Sequence, residues 1–148
     1  MAIQLVVDRT QAHVDLLNRL RKKGWANMSP SEKNQWYGEA AKGAYNCSDL
    51  NRVESAVAEL SSIFGLDLST KTNWGIWDIP LDSEMDRYLG NVVKIRNMMS
   101  GIPNLPVLPN NMDGLSYRSA NNIEKVLMMA YEYAQTSIQS GEIYSGEV

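Results

Sequence analysis

Apolar residues recur three and four positions apart in four separate stretches of the chain. They are Leu16, Leu17 and Leu20; Leu50, Val53, Val57, Leu60 and Phe64; Met85, Tyr88, Val92, Ile95 and Met99; and Ile123, Leu127, Ala130 and Ala134. That spacing lines up one face of an α-helix. The flanking residues punctuate each run. Asp8 or Thr10 suits the start of the first helix, and Gly24 follows its end. Ser29-Pro30-Ser31-Glu32 predicts a further helix, with serine as cap, proline at the first position and glutamate reaching back. That helix carries Trp36 and Ala40 and stops near Gly43. Asn46 or Ser48 caps the next, with Asp49 in its first turn and Gly65 at its end. Asp82 or Ser83 opens the fourth, which Gly101 follows, and Ser116 opens the last, which frays near Gln139.

Elsewhere the helical rhythm breaks. Residues 2–7 read as a short strand or an extended arm. Residues 66–80, with Trp74, Ile76, Trp77 and Ile79 around a glycine, read as a loop or short strand. Prolines 103, 106 and 109 favour a polyproline-like connector over 102–115, long enough to suggest a function or an anchor. The pattern predicts a mainly α protein, with about five helices in one bundle-like domain over residues 1–140. An N-terminal arm (1–7), the connector (102–115) and an extended tail (141–148) complete it. Short extended or strand-like pieces are expected at the N-terminus, near 73–80 and in the tail.

Composition narrows the function classes. With 148 residues, 44% apolar and 21% charged, the chain is one folded domain. A net charge of −3 argues against nucleic acid as a partner, since phosphate contacts call for a basic face. The one basic run, Arg19, Arg21, Lys22 and Lys23, falls where a helix C-terminus favours cations. No apolar stretch reaches the roughly 20 residues of a membrane span, and MAIQLVV lacks the basic lead of a signal peptide. The expectation is therefore no membrane association.

Candidate chemistry is sparse. His13, the single histidine, shares a helical face with three leucines, which suggests packing. Cys47, the single cysteine, sits near a helix start that depresses thiol pKa values, yet Asp49 opposes a thiolate there. The plainer reading of Cys47 is a small residue filling a tight turn. Asp8, Asp15, Glu54, Glu59, Glu84 and Asp86 are scattered and read mostly as polar-face residues. No phosphate loop, nucleophile elbow or HExxH pattern occurs. The sequence thus predicts no enzyme, no metal site and no cofactor. Trp74 and Trp77 read as packing, a protein interface or a sugar-stacking surface. In each of Met98-Met99 and Met128-Met129, one residue is expected in the core and one at an edge.

Five blocks in order carry a resemblance: GWANMSPSEKNQW, GAYNCSDLNRVESAV, NWGIWDIPLDSEMDRYLGNV, LSYRSANNIEKVL and SGEIYSGEV. They resemble small virion structural, tail- or baseplate-associated proteins of Firmicutes phages and prophages, and the leading parts of longer ones. The blocks are capping, turn and packing patterns, so the resemblance implies no catalytic residue. It implies a tail or baseplate component, located in the virion after assembly in the host cytoplasm, whose partners are other virion proteins and copies of itself. Ile3 and Leu5 in the arm, Trp74 and Trp77 in the loop, and Ile143 and Tyr144 in the tail are the candidate contact residues, and one or both chain ends are expected to dock on a neighbour. Two alternatives stand beside this. One is a receptor- or glycan-binding tail module using Trp74 and Trp77. The other is a small enzyme working through Cys47 or His13.

Overall fold

Helix chemistry written into the turns builds the structure. The computed structural model describes residues 3–140, with side chains to residue 137. It contains α1 (Gln11–Lys23), α2 (Pro30–Tyr37), α3 (Cys47–Phe64), α4 (Asp82–Asn97) and α5 (Tyr117–Ser140). The fold is mainly helical, and no strand occurs among the described residues. Residues 66–80 are irregular, so the strand alternative there is set aside.

Two cores divide the work. The larger lies among α3, α4 and α5, where Val53, Leu60, Tyr88, Val92, Ile123 and Leu127 are buried together. Each such side chain stabilises the fold by about 1.5–3 kcal/mol. Arg52 meets Glu124 near the starts of α3 and α5, and Phe64 meets Tyr133 near their far ends. The two helices therefore run in the same direction, and the connectors at 66–81 and 98–116 return the chain. The smaller core joins Leu17 and Leu20 of α1 to Met28 and Ala40, with Leu16, Trp36 and Ala44 packed around it.

The caps explain where the helices begin. Ser29 accepts from the Glu32 N–H (3.1 Å), and Glu32 accepts from the Ser29 N–H (2.9 Å), a complete capping box. Asn46 accepts from the Ser48 N–H, and Asp49 reaches back to the Asn46 N–H at 2.8 Å. Gly65, in the left-handed region at φ 69°, closes α3.

Two expectations are corrected. The second helix ends at Tyr37, because Gly38 breaks it, and a 3-10 turn from Ala40 to Gly43 carries the chain on. The cap of α4 is Leu81, not Asp82 or Ser83. Leu81 has no side-chain acceptor, and its own N–H donates to Glu84 at 3.0 Å. His13 is partly buried as expected, and its ring nitrogens also have partners. Its Nδ1 accepts from the Thr10 N–H at 3.0 Å, the return arm of the α1 cap, and its Nε2 lies 2.7 Å from Glu39.

Candidate functional site

The best-built polar feature lies where the N-terminal arm meets α3 and α5. The Arg9 N–H donates to Asn121 Oδ1 (3.0 Å), and Asn121 Nδ2 donates back to the Arg9 carbonyl (2.9 Å). The Arg9 guanidinium spans Asp49 (3.0 Å) and Glu124 (2.7 Å). Arg52 grips Glu124 with two parallel hydrogen bonds, Nε to Oε1 at 2.7 Å and Nη2 to Oε2 at 2.8 Å, and also meets Asp49. The Val6 N–H donates to Glu124 Oε1 at 2.9 Å. Two guanidinium groups thus balance two carboxylates, and Glu124 is 0% exposed. Burial works against the Arg52 charge, but the hydrogen bonds to Glu124 and Asp49 more than compensate and raise its pKa.

A second node fixes the 66–81 loop. Trp74 Nε1 donates to Glu54 Oε2 at 2.9 Å, and its backbone N–H and carbonyl are both engaged by the Asn51 amide. Arg87 closes the node with two 2.7 Å hydrogen bonds to Glu54 and a third to the Ser69 carbonyl. Beside these nodes Tyr45 and Tyr88 share a hydroxyl–hydroxyl hydrogen bond. Burial raises both phenol pKa values. Placing Glu54 on a polar face was therefore wrong: it is 1% exposed. Its neighbours Val53, Val57 and Trp74 are apolar, so periodicity alone could not show the arginine that reaches it.

Past that anchor the loop turns outward. Trp77 is 89% exposed, and Ile76, Ile79 and Leu81 stand exposed with it. Four large apolar side chains in six residues are more than single scattered surface hydrophobes. A groove of about 470 Å³ runs beneath, lined by Tyr45, Cys47, Trp74, Ile76 and Pro80 among others.

The sequence-proposed contact residues separate accordingly. Trp74 is 4% exposed and bound to Glu54, so the paired Trp74/Trp77 stacking surface does not exist; Trp77 alone faces outward. Ile3 and Leu5 are partly buried against the main core of their own chain, which makes the arm part of the domain. Ile143, Tyr144 and the rest of 141–148 lie outside the described residues. Cys47, partly buried, is the first residue of α3. His13 sits on α1, held by Thr10 and Glu39.

A second outward feature escaped sequence reading. On the small lobe Trp25 and Tyr37 meet edge to face with centroids 5.7 Å apart, and Lys33 Nζ lies 4.8 Å from the Trp25 ring centre. Tyr37 is 73% exposed. The signal was present: Lys33 and Tyr37 are four apart on α2, and such residues share a face.

Among the described residues no group of three His, Cys, Asp or Glu side chains is arranged to hold a metal ion, and no helix is long and apolar enough to cross a membrane. No family model matches the chain, and neither the curated proteins nor the solved structures yield a significant match.

Proposed function

We propose that this chain is a bacteriophage virion structural protein, a tail or baseplate component that acts through protein contacts. The observation that carries the reading is the anchored loop. The Glu54–Trp74–Arg87 node anchors the loop at Trp74, and Ile76, Trp77, Ile79 and Leu81 project beyond it. A cluster of exposed apolar side chains beside a fixed anchor suits a contact surface in an assembly. The five sequence blocks that resemble phage tail-region proteins support the same reading.

The glycan-binding alternative loses its two-tryptophan surface and retains only Trp77. The enzymatic alternative has no added support: His13 is held by the Thr10 cap on one ring nitrogen and by Glu39 on the other. The deciding experiment locates the chain. Purified particles of a phage encoding it are analysed by mass spectrometry and by antibody labelling in the electron microscope. The chain should co-purify in fixed stoichiometry, with label at the tail. Its absence from purified particles overturns the proposal.

A further inference from the structure

Charge is distributed unevenly between the two lobes. Residues 10–44 carry six cations (Arg19, Arg21, Lys22, Lys23, Lys33, Lys42) against three carboxylates (Asp15, Glu32, Glu39). With a whole-chain charge of −3, the remainder is strongly acidic. The asymmetry is sharpest at the two outward apolar features. From Ile76 to Asp86 there are four carboxylates, Asp78, Asp82, Glu84 and Asp86, and no cation. At Trp25 and Tyr37, Lys33 lies over the Trp25 ring, and Arg21 and Lys22 are exposed at the end of α1, just before Trp25 in the chain. The loop surface is apolar and mostly acidic, with Lys71 3.7 Å from Asp78, and the corner is aromatic and mostly basic, with Glu39 exposed two residues beyond Tyr37. Complementary potentials of this kind select partners and orient encounter.

We propose that copies of this chain associate head to tail, the 76–86 loop of one copy seating against the Trp25–Lys33–Tyr37 corner of the next. Trp77 and Ile79 supply the apolar centre and meet Trp25 and Tyr37. Asp82 and Asp86 face the cations of the corner. Aromatic and apolar anchors ringed by paired charge are the usual anatomy of an interface. Repeated head to tail, such a contact gives a closed ring or an open stack. The inference rests on these patches and not on the virion reading. A monomer in solution would sink it without touching the particle experiment, and absence from particles would leave it standing.

The test uses the full-length chain and two double variants, W77S/I79S for the loop and K33E/Y37S for the corner. These residues are exposed or, for Lys33, half-buried at the surface, and circular dichroism checks that each variant keeps its helix content. Native mass spectrometry and sedimentation at about 100 µM follow association, a concentration suited to a small interface. The unaltered chain should form dimers and larger species in about 0.05 M salt and lose them in about 0.5 M, where screening is strong. Each variant alone should be monomeric. An equimolar mixture should give heterodimers and nothing larger, because only one intact loop and one intact corner remain to meet. An unaltered chain that stays monomeric, variants that still assemble, or a mixture that stays monomeric each overturns the proposal.

Discussion

Arg9 is the residue on which most of the buried polar structure turns. Removing its side chain leaves Arg52 alone to answer Asp49 and Glu124. Arg9→Ala should destabilise the fold by about 3–5 kcal/mol, the usual cost of stranding a buried charge. Urea unfolding measures it, and a loss under about 1 kcal/mol, the worth of an exposed pair, would show that the network holds little. Trp74→Phe keeps an aromatic side chain but loses the indole N–H donor to Glu54 and some packed volume. The expected cost is about 1–3 kcal/mol, whereas Trp77→Ser should change stability by less than about 0.5 kcal/mol. Equal losses at the two tryptophans would contradict the division into anchor and projection. Glu32 supplies a pH signature. Lys23 and the Ser29 cap lower its pKa from 4.5 to about 2. The folded value lies below the unfolded one, so its contribution is present above about pH 4.5 and fades as pH falls toward 2. Melting curves of the unaltered chain and Glu32→Gln should therefore converge over that window, and parallel curves would refute the linkage.

At the scale of elements, the sequence was most legible where local chemistry decides. The caps at Ser29 and Asn46, the stop at Gly65 and the buried seams of α3, α4 and α5 follow from neighbours within four residues. Met98 and Met99, in the turn after α4, divide into an exposed and a buried residue, whereas Met128 and Met129 on α5 are both partly buried, not one in the core and one at an edge. The misses have different physical causes. Glu54 and Glu124 sit on apolar faces because arginines arrive there from distant segments, across 33 residues for Arg87 and 115 for Arg9. No helical period encodes a partner that far away. Leu81 opens α4 because Glu84 serves its N–H, which overrides the side-chain preference for Asp82 or Ser83. The outward aromatic corner was hidden for the opposite reason, since Trp25 and Tyr37 look like core residues until the fold shows how small the neighbouring core is.

For the whole molecule, the lobe around the smaller core depends on one close approach between Gly43 and α1. A Cβ on Gly43 would stand 2.4 Å from the His13 carbonyl oxygen and 2.9 Å from Val14 Cα, both backbone. Gly43→Ala must therefore push the turn off α1, and a loss of about 1–3 kcal/mol is expected in denaturant unfolding. A neutral outcome would mean that the lobe is looser than its packing implies. The arm has a consequence for biosynthesis. Val6 and Arg9 leave the ribosome more than a hundred residues before their partners Glu124 and Asn121 are made. At ordinary synthesis rates that gap is about 6–23 s. Until α5 emerges, Asp49 and Arg52 lack Glu124 and the α3 surface stays open. The three-helix core is therefore completed only once α5 has been made.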